Sequence, residues 1–222
     1  MSGGDPAGRK GREQMASDFF FSALITLLVT IDPVGLAPIF VVVTAGMGPT
    51  DRKRVASRAT VIAFGILTFF AVFGEKLLEF LRIGLPAFRI AGGLLLFWIA
   101  FEMVFERRTD RKQHTAEVAI TIDHVRNIAA FPLAIPLMAG PGAITAVILL
   151  SARTDGNVVA TAGLLALVAA VMLSCLAVFL LAARISALLG TTGNVLLSRL
   201  LGVILAALAV QFVIDGVVEV SR

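Results

Sequence analysis

The stretch TIDPVGLAPIF, residues 30–40, places an aspartate, two prolines and a glycine inside a run that is otherwise apolar from Phe19 to Thr44. A helix needs about 20 apolar residues to cross the hydrocarbon core of a bilayer, and this run is long enough. Yet Pro33 and Pro38 lack an amide donor and crowd the preceding turn, while Gly35 weakens a helix interior. In lipid, a freed backbone group finds no water and must be satisfied within the protein or by water in a cavity. The run therefore reads as a spanning helix broken near its middle, with the break turned toward the protein interior. Aspartate is a favoured helix N-cap and proline a favoured first helical residue. Asp32 is thus expected to cap a half-helix that begins at Pro33.

Composition supports a membrane setting for this break. Of 222 residues, 58% are hydrophobic and only 15% charged, where soluble domains carry roughly 25% charged residues. Mean hydropathy is +0.95. The single cysteine, Cys175, excludes an internal disulfide. The net charge of +4 comes from basic residues set between apolar runs, with no aromatic-interleaved basic patch; this suits a membrane surface and not nucleic acid. Residues 1–17 form a polar, Gly-rich tail, and the apolar run after it is too long for the core of a cleaved signal.

Six spans are expected, at Phe19–Ala45, Ala59–Gly74, Ile90–Phe105, Ile128–Ala152, Val158–Ala183 and Leu200–Ile214. Lysine and arginine bias sets orientation. Eleven basic residues, including Arg52, Lys53, Arg54, Arg58, Arg107, Arg108, Arg111 and Lys112, fall on one side, and eight on the other. The richer side is read as cytoplasmic in a multi-pass protein of the inner or plasma membrane, with both termini outside. Residues 107–126 read as a solvated polar loop. Its His114, Glu117, Asp123 and His124 match no metal-ligand spacing, so neither metal nor cofactor is expected.

The chain also repeats. GLPAFRIAGGLLLFWIAF (84–101) matches NVLLSRLLGVILAALAVQ (194–211), aligning Arg89 with Arg199 and Gly92 with Gly202. DPVGLAPIF (32–40) matches GPGAITAVI (140–148), aligning Pro33 with Pro141. Five of the eight prolines lie in the first and fourth spans. Each half, 18–106 and 127–222, holds an odd number of spans, so the second must enter the membrane upside down. The fold expected is an all-α integral membrane protein of two inverted three-helix repeats, with helices 1 and 4 discontinuous.

Two half-helix N-termini would then face the midplane, where amides and helix dipoles favour an anionic group. The candidate binding residues are Thr30, Ile31, Asp32, Pro33 and Gly35 from the first break, and Ala139, Gly140, Pro141, Gly142, Ala143 and Thr145 from the second. A deep carboxylate in a membrane marks function, so Asp32 is also the candidate for ion coupling, to a proton or sodium. Glu102, Glu106, Asp215 and Glu219 lie at span ends and read as interfacial.

These stretches resemble the MarC family of six-helix membrane proteins. The resemblance is carried by DPVGLAPIF (32–40), LPAFRIAGGLLLFWIAFEMVF (85–105), IAAFPLAIPLMAGPGAIT (128–145) and LLSRLLGVILAALAVQFVIDGVVE (196–219). It implies a relation to exporters of small neutral amino acids of the glycine, alanine and serine class. One departure stands out: family members usually carry asparagine before the first proline, where this chain has Asp32. The expected function is secondary transport by alternating access. The alternative is a passive channel or a lipid-handling protein. An intramembrane enzyme is not expected: a dyad needs two deep carboxylates, and the repeat partner of Asp32 is Gly140. Membrane lipids are the other expected partner; oligomeric state is not readable.

Overall fold

The structure, a computed structural model, describes residues 6–108, 111–112 and 129–221. Among these there is helix and no strand. Helix α1 spans Pro6–Ile31, α2 Ala37–Val43, α3 Pro49–Phe80 and α4 Leu85–Val104. A bent segment, Ala129–Met138, precedes α5 (Pro141–Ala152), α6 (Val158–Leu180) and α7 (Ala182–Val220).

Local sequence explains most of these boundaries. Gly48 and Pro49 open α3, Gly84 and Pro86 open α4, and Gly140 and Pro141 open α5. Proline sets a helical φ where no donor is needed. The Asn157 side chain caps α6 by accepting from the amides of Val159 and Ala160 at 2.9 and 3.1 Å. A left-handed Gly190, φ 59°, interrupts α7. The bent segment holds Phe131 and Ile135 in extended conformations, each before a proline, as proline demands of its predecessor.

Helix α5 is the centre of the bundle. From Gly142 to Ala152 every residue but Ile144 is buried, as a short helix apolar on nearly every side requires. Ala143, Val147 and Leu150 join a core shared with α1, α2, α3 and α6. Ala146 and Leu149 join a second core with α4 and α7. Helix α3 offers a narrow stripe at helical spacing, Ala56, Ala59, Ala63, Leu67, Ala71, Gly74 and Leu78, all buried. Helices α4 and α7 lie antiparallel in close approach. A Cβ on Gly93 would sit 2.8 Å from the Ala209 carbonyl, and one on Gly202 3.1 Å from that of Ala100. Ion pairs close both ends of this pair, Arg89 with Glu219 and Arg199 with Glu106 at 2.8 Å. The outer surface is apolar, with Phe69, Phe73, Trp98, Leu173 and Val203 exposed.

This is an all-α integral membrane fold. Helices α3, α4, α6 and residues 192–220 of α7 are long and apolar enough to span a membrane. A fifth span results if the Ala129–Met138 segment and α5, bent by 57°, count as one. Among the described residues, length and composition do not confirm the sixth expected span, because the apolar part of α1, Ser17–Ile31, stops short at the Asp32 break. Helices α3 and α7 run well past their predicted apolar limits, since charged residues continue a helix beyond the lipid-compatible run. Helix α1 likewise begins at Pro6, inside the predicted tail. His114, Glu117, Asp123 and His124 lie outside the described residues.

Gly93→Val should destabilise the fold by about 1–3 kcal/mol through overpacking. Gly65→Ala, on α3 with nothing within 4 Å, should hold or raise stability, glycine costing up to about 1 kcal/mol in a helix. Thermal melting of the two purified variants checks the contrast.

Candidate functional site

The break in the first span follows from Pro33. The amide of Asp32 makes the last α-helical bond, to the Leu28 carbonyl at 2.8 Å. The carbonyl of Val29 would next receive residue 33, but proline has no N–H. Asp32 itself turns into the left-handed region, φ 58°, which aspartate tolerates better than most residues. Its Oδ1 accepts from the Gly35 amide at 3.0 Å. A Cβ at residue 35 would lie 2.1 Å from Asp32 Oδ2, so any side chain there would displace the Asp32 carboxylate from its bond. Contrary to expectation, the helix does not start at Pro33. Residues 33–36 form a turn and α2 starts at Ala37, with Leu36 in the cap position. Asp32 caps this turn through the bond to the third amide onward that a helix N-cap also makes.

The freed carbonyls have a partner. Arg108, buried just past α4, donates to Val29 O at 3.5 Å and to Thr30 O, and also contacts Met103 Sδ at 2.8 Å. Four residues on, Lys112 Nζ meets Asp32 Oδ2 at 3.4 Å, both side chains buried. The C-terminal end of α1 thus draws in cations, as its dipole favours. Arg108 and Lys112 were expected in a solvated loop; the structure folds them into the bundle instead. Glu102, expected at the interface, is buried, pairing with Arg111 at 2.9 Å and accepting from Trp98 Nε1 at 3.2 Å. Asp215 also forms an ion pair, with Arg153 at 2.7 Å.

Opposite this cluster stands the N-terminus of α5. Gly140 takes the cap position in extended conformation with Pro141 following and no side-chain cap. A Cβ on Gly140 would lie 2.3 Å from the Pro136 carbonyl, so the bend admits only glycine without a shift of backbone. Between the two sides is a cavity of about 240 Å³. Thr30, Gly140, Pro141, Gly142 and Ala143 line it, joined by Arg108, Arg111 and Lys112. Ile31, Asp32, Pro33, Gly35, Ala139 and Thr145 lie outside its wall; Thr145 instead packs where a Cβ on Gly92 would be, at 2.5 Å. The hydroxyls of Thr26, Thr44 and Thr60 donate to the carbonyl four residues back. That of Thr30 is buried in the cavity wall with no partner among the described residues. A larger cavity of about 370 Å³ lies near Phe40, Thr44, Arg52 and Phe179, but away from both helix breaks.

The three cations were missed because the positive-inside rule assigns a basic run after a span to the cytoplasm. A signal was present: a deep carboxylate requires a partner, and Arg108 and Lys112 are spaced to share one helix face. Among the described residues no group of three or more His, Cys, Asp or Glu side chains is placed to hold a metal.

Burial, and then Arg108, pull the Lys112 ammonium down to about 8, against the opposing pull of Asp32. A lysine with a depressed folded pKa makes the unfolded chain bind more protons between that value and its ordinary one, so stability rises with pH across that window. Wild type should gain melting temperature relative to Lys112→Met as pH rises from 8 toward 10. Parallel pH–melting curves for the two proteins would remove this assignment.

A family model described as MarC family integral membrane protein matches residues 17–221. The chain is 40% identical to the UPF0056 membrane protein of Archaeoglobus fulgidus, over 90% of this chain and 93% of that one. It is 39% identical to the UPF0056 membrane protein of Aquifex aeolicus, over 89% and 91%. It is 33% identical to the UPF0056 membrane protein YvbG of Bacillus subtilis, over 91% and 95%. No solved structure matches it. With helices built to cross a membrane and the Pro-broken segments inside the matched region, the chain belongs to the MarC family of integral membrane proteins.

Proposed function

We propose that this protein is a secondary transporter of small neutral amino acids, working as an exporter by alternating access between two inverted repeats. The observation that carries the reading is the cavity between the Asp32 break and the α5 N-terminus. Unwound backbone and a half-helix N-terminus facing one cavity are the usual makings of a transporter midplane site. Thr30 brings a buried hydroxyl without a partner among the described residues, a group that is costly unless something bonds it. At about 240 Å³ the space is below the roughly 300–1,000 Å³ of drug-sized pockets, which favours a small solute.

The repeat reading has support in packing. Helix α1 packs on α5, α3 on α6 and α4 on α7, each with its proposed counterpart from the other half. The pairs Arg89–Glu219 and Arg199–Glu106 are reciprocal in the same sense, since Arg89 and Arg199 align in the repeat. In this reading α1 and α2 together make the sixth span, and the Arg52–Arg58 end lies in the cytoplasm. Asp32 would serve ion coupling once Lys112 moves off it.

In proteoliposomes, uptake of labelled glycine, alanine or serine should saturate and rise when the same solute is loaded on the far side. Flux linear in concentration would instead mark a channel. Thr30→Val should leave melting temperature unchanged or raised, because no bond inside the protein is lost. Its flux at low solute should fall about 10- to 100-fold, the loss expected for a hydrogen bond of about 1.5–3 kcal/mol to a charged group.

A further inference from the structure

Among the described residues, charge around the cavity does not balance. Arg108, Arg111 and Lys112 line it, and the carboxylates paired with them are Glu102 on Arg111 and Asp32 on Lys112. Among the described residues Arg108 bonds only to the carbonyls of Val29 and Thr30 and the Met103 sulfur, although it is buried, at 6% exposure. A buried charge is tolerated when a counter-charge meets it. Carbonyl dipoles satisfy the donors of a guanidinium but leave its charge. Beside Arg108, the unpartnered Thr30 hydroxyl and the uncapped α5 N-terminus are both fitted to an anion's oxygens. The acceptors that would hold an ammonium are already taken: Asp32 Oδ2 by Lys112, and the Thr30 carbonyl by Arg108.

We infer that the cavity recognises a small carboxylate through Arg108, Thr30 and the α5 N-terminus, and that Lys112 fills the place an amino group would take, so that a solute's ammonium is not required. The inference rests on the transport reading of this cavity and deepens it. An amino acid enters through its carboxylate end, and a simple monocarboxylate of the same size is an equivalent ligand. Lys112 thereby sets specificity, acting on the solute through Asp32.

Three related probes separate the groups: alanine, propionate, which is alanine without its amino group, and ethylamine, which is alanine without its carboxylate. Binding to the purified full-length protein is measured at pH 7 by calorimetry, and competition by displacement of labelled alanine. Propionate should bind within about threefold of alanine, and ethylamine at least 100-fold more weakly. Arg108→Gln should lose at least tenfold for both carboxylates. Lys112→Met frees Asp32, so alanine should then exceed propionate by tenfold or more. This gain keeps the test decisive even where Arg108→Gln fails to fold. Ethylamine binding to wild type, alanine binding that propionate does not displace, or no binding of either carboxylate overturns the inference. Saturable alanine flux untouched by propionate would sink it and leave transport standing. Propionate binding without flux of any probe in vesicles would do the reverse.

Discussion

One constraint organises this molecule: backbone groups freed inside an apolar bundle must still be bonded. Pro33 cannot donate to Val29, so the first span loses its ladder where solvent is excluded. The protein answers with Arg108 on the Val29 and Thr30 carbonyls and with the Asp32 side chain on the Gly35 amide. Each answer brings a charge into the bundle. Lys112 then neutralises Asp32, while Arg108 keeps its own charge. The polar cluster is therefore a consequence of the break, and the unbalanced charge is what remains after the backbone is satisfied.

The second break is handled differently. Before α5 the chain bends through extended residues at Phe131 and Ile135, and Gly140 gives the helix a start with its first amides open. While the body of α5 lies between two cores, this open end borders the cavity. A carbonyl-rich helix end and an amide-rich helix end thus meet across about 240 Å³ of space. The dipoles oppose in sense, and the cations at the first end turn the whole cavity toward negative partners.

Close packing of the helices comes from small residues. The alanine stripe on α3 and the glycines between α4 and α7 let backbones approach closely, as membrane helices do when apolar side chains gain nothing over lipid. Ion pairs at both ends of α4 and α7 set their register. The glycines matched in the sequence repeat do not play matched parts, however. Gly92 faces Thr145 and Leu149 of α5, while Gly202 faces α4.

Local chemistry made much of this legible from residues alone. Hydropathy announced membrane helices because lipid admits little else, and proline and glycine marked where helices 1 and 4 break because their backbone limits are intrinsic. Gly140–Pro141 opens a helix by the same local rule, so Gly140 to Ala143 could be named as a wall of the site. Tertiary structure alone decided the other wall. Whether Thr30 or Thr145 faces the cavity depends on helix rotation, which packing sets. Nothing local brings Arg108 and Lys112 back to Val29, Thr30 and Asp32, roughly 80 residues earlier in the chain. That contact exists because buried carbonyls and a buried carboxylate need donors, a need the sequence states but only the folded chain can meet.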